Sequence, residues 1–273
     1  MVEYCLETVN WSPYLGFDQP DLPAMVSAAS AAGYKWISFD LPSLTHHTTH
    51  KGSLSRLRAQ MDENDVRMLA LHSLAISDDG RRTKELAQEA IAVGRTMGAL
   101  FLHAGVVTTP DTRIVDITRE VEAMCHEGGM ELAIEFLPFL PLSSIAQTRE
   151  LLDAAGLTGR NFVVDSWHFF NGPDDQDKDG WAALASIPAS RIAYVQFADH
   201  GPLQSDDLLF ETTQNRVIPG TGSFDLQRFA QTLRAGGFDG VVGPEILSSR
   251  VRQMPIEQVA QQLIAATMPF WSE

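Results

Sequence analysis

Short apolar runs alternate with amphipathic stretches along the whole chain. The runs carry apolar and β-branched residues on both faces, which is typical of parallel strands covered by helices. The predicted strands lie near 3–10, 36–40, 67–72, 99–104, 131–136, 161–166, 192–198 and 240–246. The predicted helices lie near 21–33, 51–64, 81–97, 111–128, 144–155, 177–186, 224–236 and 256–267.

Residues that favour helix ends support these boundaries. Polar residues that can cap a helix N-terminus precede four of the periodic stretches, namely Asp21, Asp111, Ser143 and Ser223. Glycines, which adopt a positive φ easily, stand near predicted C-termini at Gly33, Gly94, Gly98, Gly156 and Gly237.

The regular alternation of strand and helix determines the predicted architecture. Eight such units in 273 residues predict an α/β fold, a closed (β/α)₈ TIM barrel, with residues 1–273 as a single domain. An open doubly wound sheet is the alternative, but no Gly-Xaa-Gly-Xaa-Xaa-Gly follows the first strand. The longest connection, 199–223, is expected to be a lid or a binding loop.

Composition and charge limit the partners. The net charge is −15, so we expect no nucleic acid and no anionic membrane as a partner. The two cysteines, Cys5 and Cys125, lie far apart and the N-terminus lacks the pattern of a signal peptide, which makes the cytoplasm the expected compartment. No run approaches eighteen apolar residues, so no membrane span is predicted.

Four oxygen-bearing side chains each end a short apolar run: Glu135, Asp165, Gln196 and Glu245. They are 30, 31 and 49 residues apart, which matches successive barrel units with a long seventh loop before the last. In a TIM barrel the C-terminal strand ends meet on one face, where catalysis takes place. A buried carboxylate is costly unless its charge is compensated, so the four predict a shared metal site. Separate strand-end residues that cap the following helices are the alternative.

The chemical type of the ligands indicates which metal ion the site prefers. Three carboxylates and an amide oxygen are hard ligands, which suit Mg²⁺ or Mn²⁺ better than Zn²⁺. His168 follows Asp165 by about one helical turn, so it is a candidate for supporting a ligand, acting as a base or donating to substrate. A histidine bonded to backbone at a helix start is the other interpretation.

Five further residues are candidates for substrate contact, because each lies at a strand end, in the long seventh loop or beside a predicted ligand: Trp11, His72, His103, Trp167 and Arg216. The alternatives are core packing for the tryptophans and histidines and a surface position for Arg216. His46, His47 and His50 are expected to lie in a solvated or lid loop, with a metal site as the alternative.

Several stretches together resemble a known family. They are Ala133-Ile134-Glu135-Phe136-Leu137-Pro138, Val164-Asp165-Ser166-Trp167-His168, Val195-Gln196-Phe197-Ala198-Asp199, Arg216-Val217-Ile218-Pro219-Gly220 and Pro244-Glu245. In order and spacing they resemble the xylose isomerase-like TIM barrels, the sugar phosphate isomerases/epimerases of the AP endonuclease family 2 superfamily. The resemblance covers about 131–250.

The resemblance implies one divalent metal held by Glu135, Asp165, Gln196 and Glu245. Many members of the family carry histidine where this chain has Gln196, so Mg²⁺ or Mn²⁺ is favoured, while Zn²⁺ and Co²⁺ stay open. Glutamine there is similar to bacterial 3-dehydroshikimate dehydratases. Those enzymes hold the substrate carboxylate with an arginine near the third strand, but here that strand ends Leu71-His72-Ser73-Leu74, without an arginine. Endonuclease IV shares the barrel, but the Asp-Xaa-His pair of its seventh loop is missing here.

These residues support chemistry that removes a proton next to a carbonyl. Glu135 and Glu245 are the expected acid/base pair, with His168 as a further catalytic candidate. The first hypothesis is a metal-dependent isomerase or epimerase of a keto sugar, cyclitol or related polyhydroxy ketone. The second is a lyase, either a dehydratase or an enzyme that cleaves a bond β to a ketone, and the third is a non-catalytic binding barrel. The aromatic tail 268–271 leaves a homo-oligomer open.

Overall fold

Eight parallel strands close into a barrel in the order of the sequence. The computed structural model describes residues 2–17, 19–176 and 180–272. The barrel strands are β1 (Glu3–Glu7), β2 (Trp36–Asp40), β3 (Arg67–Ile76), β4 (Phe101–Val106), β5 (Glu131–Glu135), β6 (Phe162–Asp165), β7 (Ile192–Gln196) and β10 (Val241–Gly243). A small antiparallel hairpin, β8 (Asp199–His200) with β9 (Arg216–Val217), lies in the long seventh loop.

Helices follow the strands and cover the outside of the barrel. They are α1 (Leu22–Ala32), α2 (Leu41–His50), α3 (Leu54–Glu63), α4 (Gly80–Met97), α5 (Thr112–Glu127), α6 (Ile145–Ala155), α7 (Ser166–Asn171), α8 (Pro173–Gln176), α9 (Gly180–Ala185), α10 (Leu208–Gln214), α11 (Leu226–Ala235) and α12 (Ile256–Trp271). The predicted TIM barrel is therefore confirmed. Of the predicted helix 177–186, positions 177–179 lie outside the described residues.

Several predicted boundaries differ from the structure. The first strand stops at Glu7 rather than at 10, because two short 3₁₀ helices follow it. Ser144 and Asp225 cap α6 and α11, so the predicted caps at Ser143 and Ser223 were displaced by one and two residues. Gly94 lies inside α4, where a Cβ would stand 2.7 Å from Met130 Cε, so close packing explains this glycine.

The histidine-rich segment is helical, which corrects the expectation of a loop. Asp40 caps α2 by accepting from the Ser43 N–H at 2.9 Å, and Pro42 occupies the first turn. These are strong helix-start signals. The sequence nevertheless favoured a loop, because this helix shows little apolar periodicity. As a result His46 and His50 stand one turn apart with ring centroids 4.7 Å from each other.

Two levels of side chains fill the barrel. The lower level is an apolar cluster that includes Cys5, Phe101, Ala133 and Val163. Two residues further along the same strands, the inward side chains are polar, because alternate residues of a strand point to the same face. The polar level consists of Glu7, His72, His103, Glu135, Asp165 and Gln196, all buried.

The C-terminal aromatic residues pack against the barrel. Helix α12 includes the predicted tail, and Trp271 packs with ring centroids 5.5 Å from Phe197 and 5.9 Å from Phe238. The tail thus contributes to the core of this chain. Within the described ranges, every helix is too short or too polar to cross a membrane.

Candidate active site

The polar level forms the floor of a cavity of about 850 Å³ at the C-terminal end of the strands. Six polar side chains of the floor line this cavity: His72, His103, Glu135, His168, Arg216 and Glu245. Asp165 and Gln196 lie fully buried at the ends of β6 and β7, where the strand register places them side by side. The strand ends place Asp165 beside Gln196, whereas Glu135 and Glu245 belong to two separate groups of possible metal ligands.

A buried arginine joins two of the predicted metal ligands. Arg216 Nη1 lies 2.7 Å from Asp165 Oδ2 and 3.2 Å from Glu245 Oε2, and Arg216 is only 1% exposed. Two bonds to Thr212 Oγ1, at 3.1 and 2.8 Å, hold the guanidinium in place. Asp165 Oδ1 also accepts from the His168 N–H at 3.0 Å. Arg216 therefore belongs to the carboxylate cluster itself, as well as lining the cavity.

Glu245 is connected to the opposite side of the cluster. Gln196 donates from Nε2 to Glu245 Oε1 at 2.5 Å. The ligand atoms of Glu7, His72 and Glu245 lie within 4.8 Å of one another, with His72 Nε2 3.1 Å from Glu7 Oε2. Gly243 makes this arrangement fit, since a Cβ there would stand 2.4 Å from Glu7 Oε1.

Glu135 is held by His103, whose Nε2 lies 3.0 Å from Glu135 Oε2. His168 Nε2 accepts from Arg216 Nη2 at 3.1 Å, so it has no proton to donate to Glu135 Oε1, which lies 3.4 Å away. His103 Nδ1 is 2.6 Å from the Tyr194 hydroxyl. Since burial raises the pKa of Tyr194 well above 10, the phenol keeps its proton and donates to Nδ1. The proton of the neutral ring is then on Nε2, where it donates to Glu135.

Burial sets the protonation of this cluster. Burial and the neighbouring Asp165 raise the pKa of Glu135 to about 8, and burial likewise raises the pKa of Glu245 to about 8. Burial lowers the pKa of His103 to about 4 and that of His168 to about 3, so both are neutral at pH 7. Burial alone would raise the pKa of Asp165, but the Arg216 guanidinium and His168 lower it below its ordinary value.

The cluster has the charge and the unsatisfied oxygens of a cation site. Of the four carboxyl groups here, Asp165 and Glu245 contact the Arg216 guanidinium, while Glu7 has an oxygen within 4.8 Å of Glu245 and Glu135 one within 4.8 Å of Asp165. Buried oxygens without a hydrogen-bond partner are Glu7 Oε2, Glu135 Oε1 and Gln196 Oε1. Leaving such atoms unpaired is costly. Two groups of three side chains could each hold a metal ion, Glu7 with His72 and Glu245, and Glu135 with Asp165 and His168.

The other candidates lie in different places. Trp11 packs in the hydrophobic core and is absent from the cavity lining, so its predicted substrate contact is not supported. Trp167 is also fully buried, with the Arg216 guanidinium 5.4 Å from its ring, and supports that arginine from below the cavity. Glu7 and Tyr194 were missed. Glu7 ends an apolar run, as the four predicted ligands do. The first strand was predicted to continue to residue 10, so Glu7 was not expected at a strand end.

The seventh loop is anchored by a carboxylate. Asp199, which is buried, accepts from the backbone N–H groups of Gly220 at 3.0 Å, Gly222 at 2.9 Å and Phe224 at 3.1 Å. A Cβ at Gly222 would stand 2.4 Å from Asp199 Oδ1, which explains the second glycine of the Pro-Gly-Thr-Gly turn. This anchor fixes the hairpin that carries Arg216 into the barrel.

Comparison with known proteins shows to which family this chain belongs. Residues 26–268 match the family model of the xylose isomerase-like TIM barrel. The chain belongs to this family. It is 23% identical over 242 residues to inosose isomerase of Halalkalibacterium halodurans, covering 83% of each chain. It is 24% identical over 245 residues to 3-dehydroshikimate dehydratase of Pseudomonas aeruginosa, where the match covers 86% of this chain but only 37% of that longer protein.

The fold of this family member is also that of a zinc-containing crystal structure. The IOLI protein with a bound zinc atom superposes with a TM-score of 0.81 at 19% identity, over 99% of this chain and 98% of that one. At such low identity the likeness concerns the fold.

Proposed function

We propose that this chain is a divalent-metal-dependent isomerase or epimerase that moves a proton next to the carbonyl of a polyhydroxy ketone, such as a keto sugar or a keto cyclitol. The observation that carries the proposal is the pair Glu135 and Glu245, which line the floor of one cavity three strands apart, with Glu135 Oε1 lacking a hydrogen-bond partner. A carboxylate within reach of a substrate carbon can both remove and return a proton. The similarity to an inosose isomerase supports a ketone substrate.

Glu135, Asp165, Gln196 and Glu245 would hold the metal ion. The unpartnered oxygens of Glu135 and Gln196 fit this role. When bound, a divalent ion would polarise the substrate carbonyl and stabilise negative charge on its oxygen. The oxygen ligands favour Mg²⁺ or Mn²⁺, while the zinc of the similar structure keeps Zn²⁺ and Co²⁺ as candidates.

The protein's own groups would move the proton. Glu135 is oriented by the neutral His103 and keeps Oε1 without a hydrogen-bond partner. Glu245 lies three strands round the barrel, between Gln196 and Arg216, and lines the same cavity. One glutamate can therefore take the proton of a carbon and the other can return one to the opposite face. Return to the same carbon inverts it, and return to its neighbour moves the carbonyl.

A lyase is the second candidate, and the similarity to a 3-dehydroshikimate dehydratase favours it. The same abstraction of a proton would begin a β-elimination. Among the described residues lining the cavity, Arg216 is the one arginine, and it is already bonded to Asp165 and Glu245. This leaves a substrate carboxylate without a free guanidinium, which favours the isomerase.

Proton NMR in D₂O tests the proposal. The metal-loaded protein is incubated with a panel of ketoses, keto cyclitols and dehydroshikimate. Exchange of the α-proton with an isomeric product is expected, whereas an unsaturated product would identify the lyase. Glu135→Gln and Glu245→Gln should abolish exchange while the fold is retained. Glu122→Gln is the matched control, because Glu122 is a buried glutamate that bonds the Leu132 N–H outside the cavity. Wild-type exchange by either site variant would refute the acid/base assignment.

A further inference from the structure

The cavity above the floor has a different chemistry from the floor. Its wall is built largely from carbon, with apolar side chains from five separate segments: Leu41, Leu74, Leu137 with Phe139, Leu209 and Leu247. The polar side chains of the wall come mainly from two helices, namely Thr45, His46, Thr49 and His50 of α2 and Thr212 and Thr213 of α10. A free sugar carries hydroxyl groups on nearly every carbon and would find few partners on such a wall.

The size of the cavity also exceeds what a single small ring requires. A volume of about 850 Å³ is at the upper end of the range of about 300–1,000 Å³ that is usual for sites that enclose drug-sized molecules. The polar floor accounts for one end of a ligand. The remaining space is bounded by the apolar wall, so the cavity has room for a second part of the ligand.

The charges of the wall exclude an anionic second part. Among the described residues that line the cavity, Arg216 is the one Lys or Arg, and it is bonded to Asp165 and Glu245. Glu89 adds a negative charge near the mouth, and the chain as a whole carries a net charge of −15. A phosphate ester or a carboxylate at the far end of the ligand would therefore meet no lysine and no free arginine there.

The rim provides an independent observation. Tyr14, Val107 and Leu209 line the mouth and are exposed to 71%, 39% and 47%. Large apolar side chains that stay exposed next to a cavity are typical of ligand-binding surfaces. They add exposed apolar surface to the wall of the cavity.

We propose that the substrate is a polyhydroxy ketone bearing an uncharged aryl or alkyl substituent at the end remote from the carbonyl. This inference rests on the proposed function for the orientation of the ligand, with the ketone at the floor and the apolar group against the wall. Each buried methylene strengthens binding about fourfold, so a benzyl group should bind about tenfold to a hundredfold more tightly than a methyl group in the same position.

A pair of synthetic ethers tests this. 6-O-benzyl-D-fructose and 6-O-methyl-D-fructose have the same keto end and differ only in the remote group. Their affinities are measured by titration calorimetry on the purified protein, with and without Mn²⁺. At least tenfold tighter binding of the benzyl ether is expected under both conditions. Equal affinities, tighter binding of the methyl ether, or no detectable binding of either would overturn the inference.

A matched pair of variants locates the effect. Leu209→Asn should reduce the benzyl-to-methyl ratio about threefold, because it replaces an apolar contact at the rim. Leu203→Asn is the control, since Leu203 is equally exposed, at 48%, in the same loop but is not part of the cavity lining. An unchanged ratio in Leu209→Asn, or an equal fall in both variants, would contradict the assigned wall.

Exchange of the α-protons of the two ethers is recorded separately. If the benzyl ether binds more tightly and neither ether exchanges its protons, the proposed reaction fails while the apolar wall is supported. If both exchange and bind equally, the reaction stands and the inference fails.

Discussion

Arg216 provides the sharpest test of the charge balance in the site. The change is Arg216→Met, which keeps much of the apolar stem and removes the guanidinium. In the metal-free protein this leaves Asp165 and Glu245, at 2.7 and 3.2 Å from Nη1, without their cationic partner. Removal of one partner from a buried ion pair costs about 3–5 kcal/mol.

The expected effect is large enough to measure by thermal unfolding. For a chain of this size each kcal/mol shifts the midpoint by about 2–4 °C, so the metal-free variant should melt about 10 °C below the wild type. A divalent ion supplies positive charge to the same carboxylates, and ligands that bind only the folded state raise its stability. Mn²⁺ should therefore raise the midpoint more in Arg216→Met than in the wild type.

Arg252→Met is the matched control for this experiment. Arg252 is a partly buried arginine whose hydrogen bonds go to neutral oxygens, among them Asn10 O at 2.7 Å and Thr213 O at 3.2 Å. Its loss should lower the midpoint without changing the response to Mn²⁺. Equal midpoints for metal-free Arg216→Met and wild type, or equal Mn²⁺ shifts in the two, would refute the assigned role of the guanidinium.

Three further predictions follow from the same cluster. Gln196→His should shift metal preference toward Zn²⁺, measured by competition and metal analysis, and unchanged selectivity would count against Gln196 as a ligand. Glu135 and Glu245 have pKa values raised to about 8, so the metal-free folded chain binds more protons than the unfolded chain. Its free energy of unfolding should therefore fall from pH 6.5 to 8, by up to about 1.4 kcal/mol per pH unit for each group. Urea titrations should show a smaller fall per pH unit in Glu135→Gln, and an equal fall would contradict the assignment to this glutamate. Tyr194→Phe removes the donor that sets the His103 tautomer, so kcat should fall about tenfold with KM little changed, and an unchanged kcat would argue against this orientation of Glu135.

The sequence by itself determined the barrel and the strand ends that carry its polar face. Alternation of strand and helix is a local signal, and eight repeats of it leave few topologies. Glu135, Asp165 and Gln196 were found because each ends a buried strand, and the parallel register then places Asp165 beside Gln196. The family motifs lie in the same half of the chain.

Only the tertiary structure decided how the charges are balanced. Arg216 is 51 residues from Asp165 along the chain, and the seventh loop, anchored by Asp199, brings the two together. The role of Glu7 depended on where β1 stops, which local pattern leaves uncertain by a few residues. The apolar wall above the floor depends on side chains from five distant segments. No periodic pattern along the chain indicates that these segments come together. The local alternation of residues along each strand thus determines which side chains face inward, whereas long-range packing determines which of them are in contact.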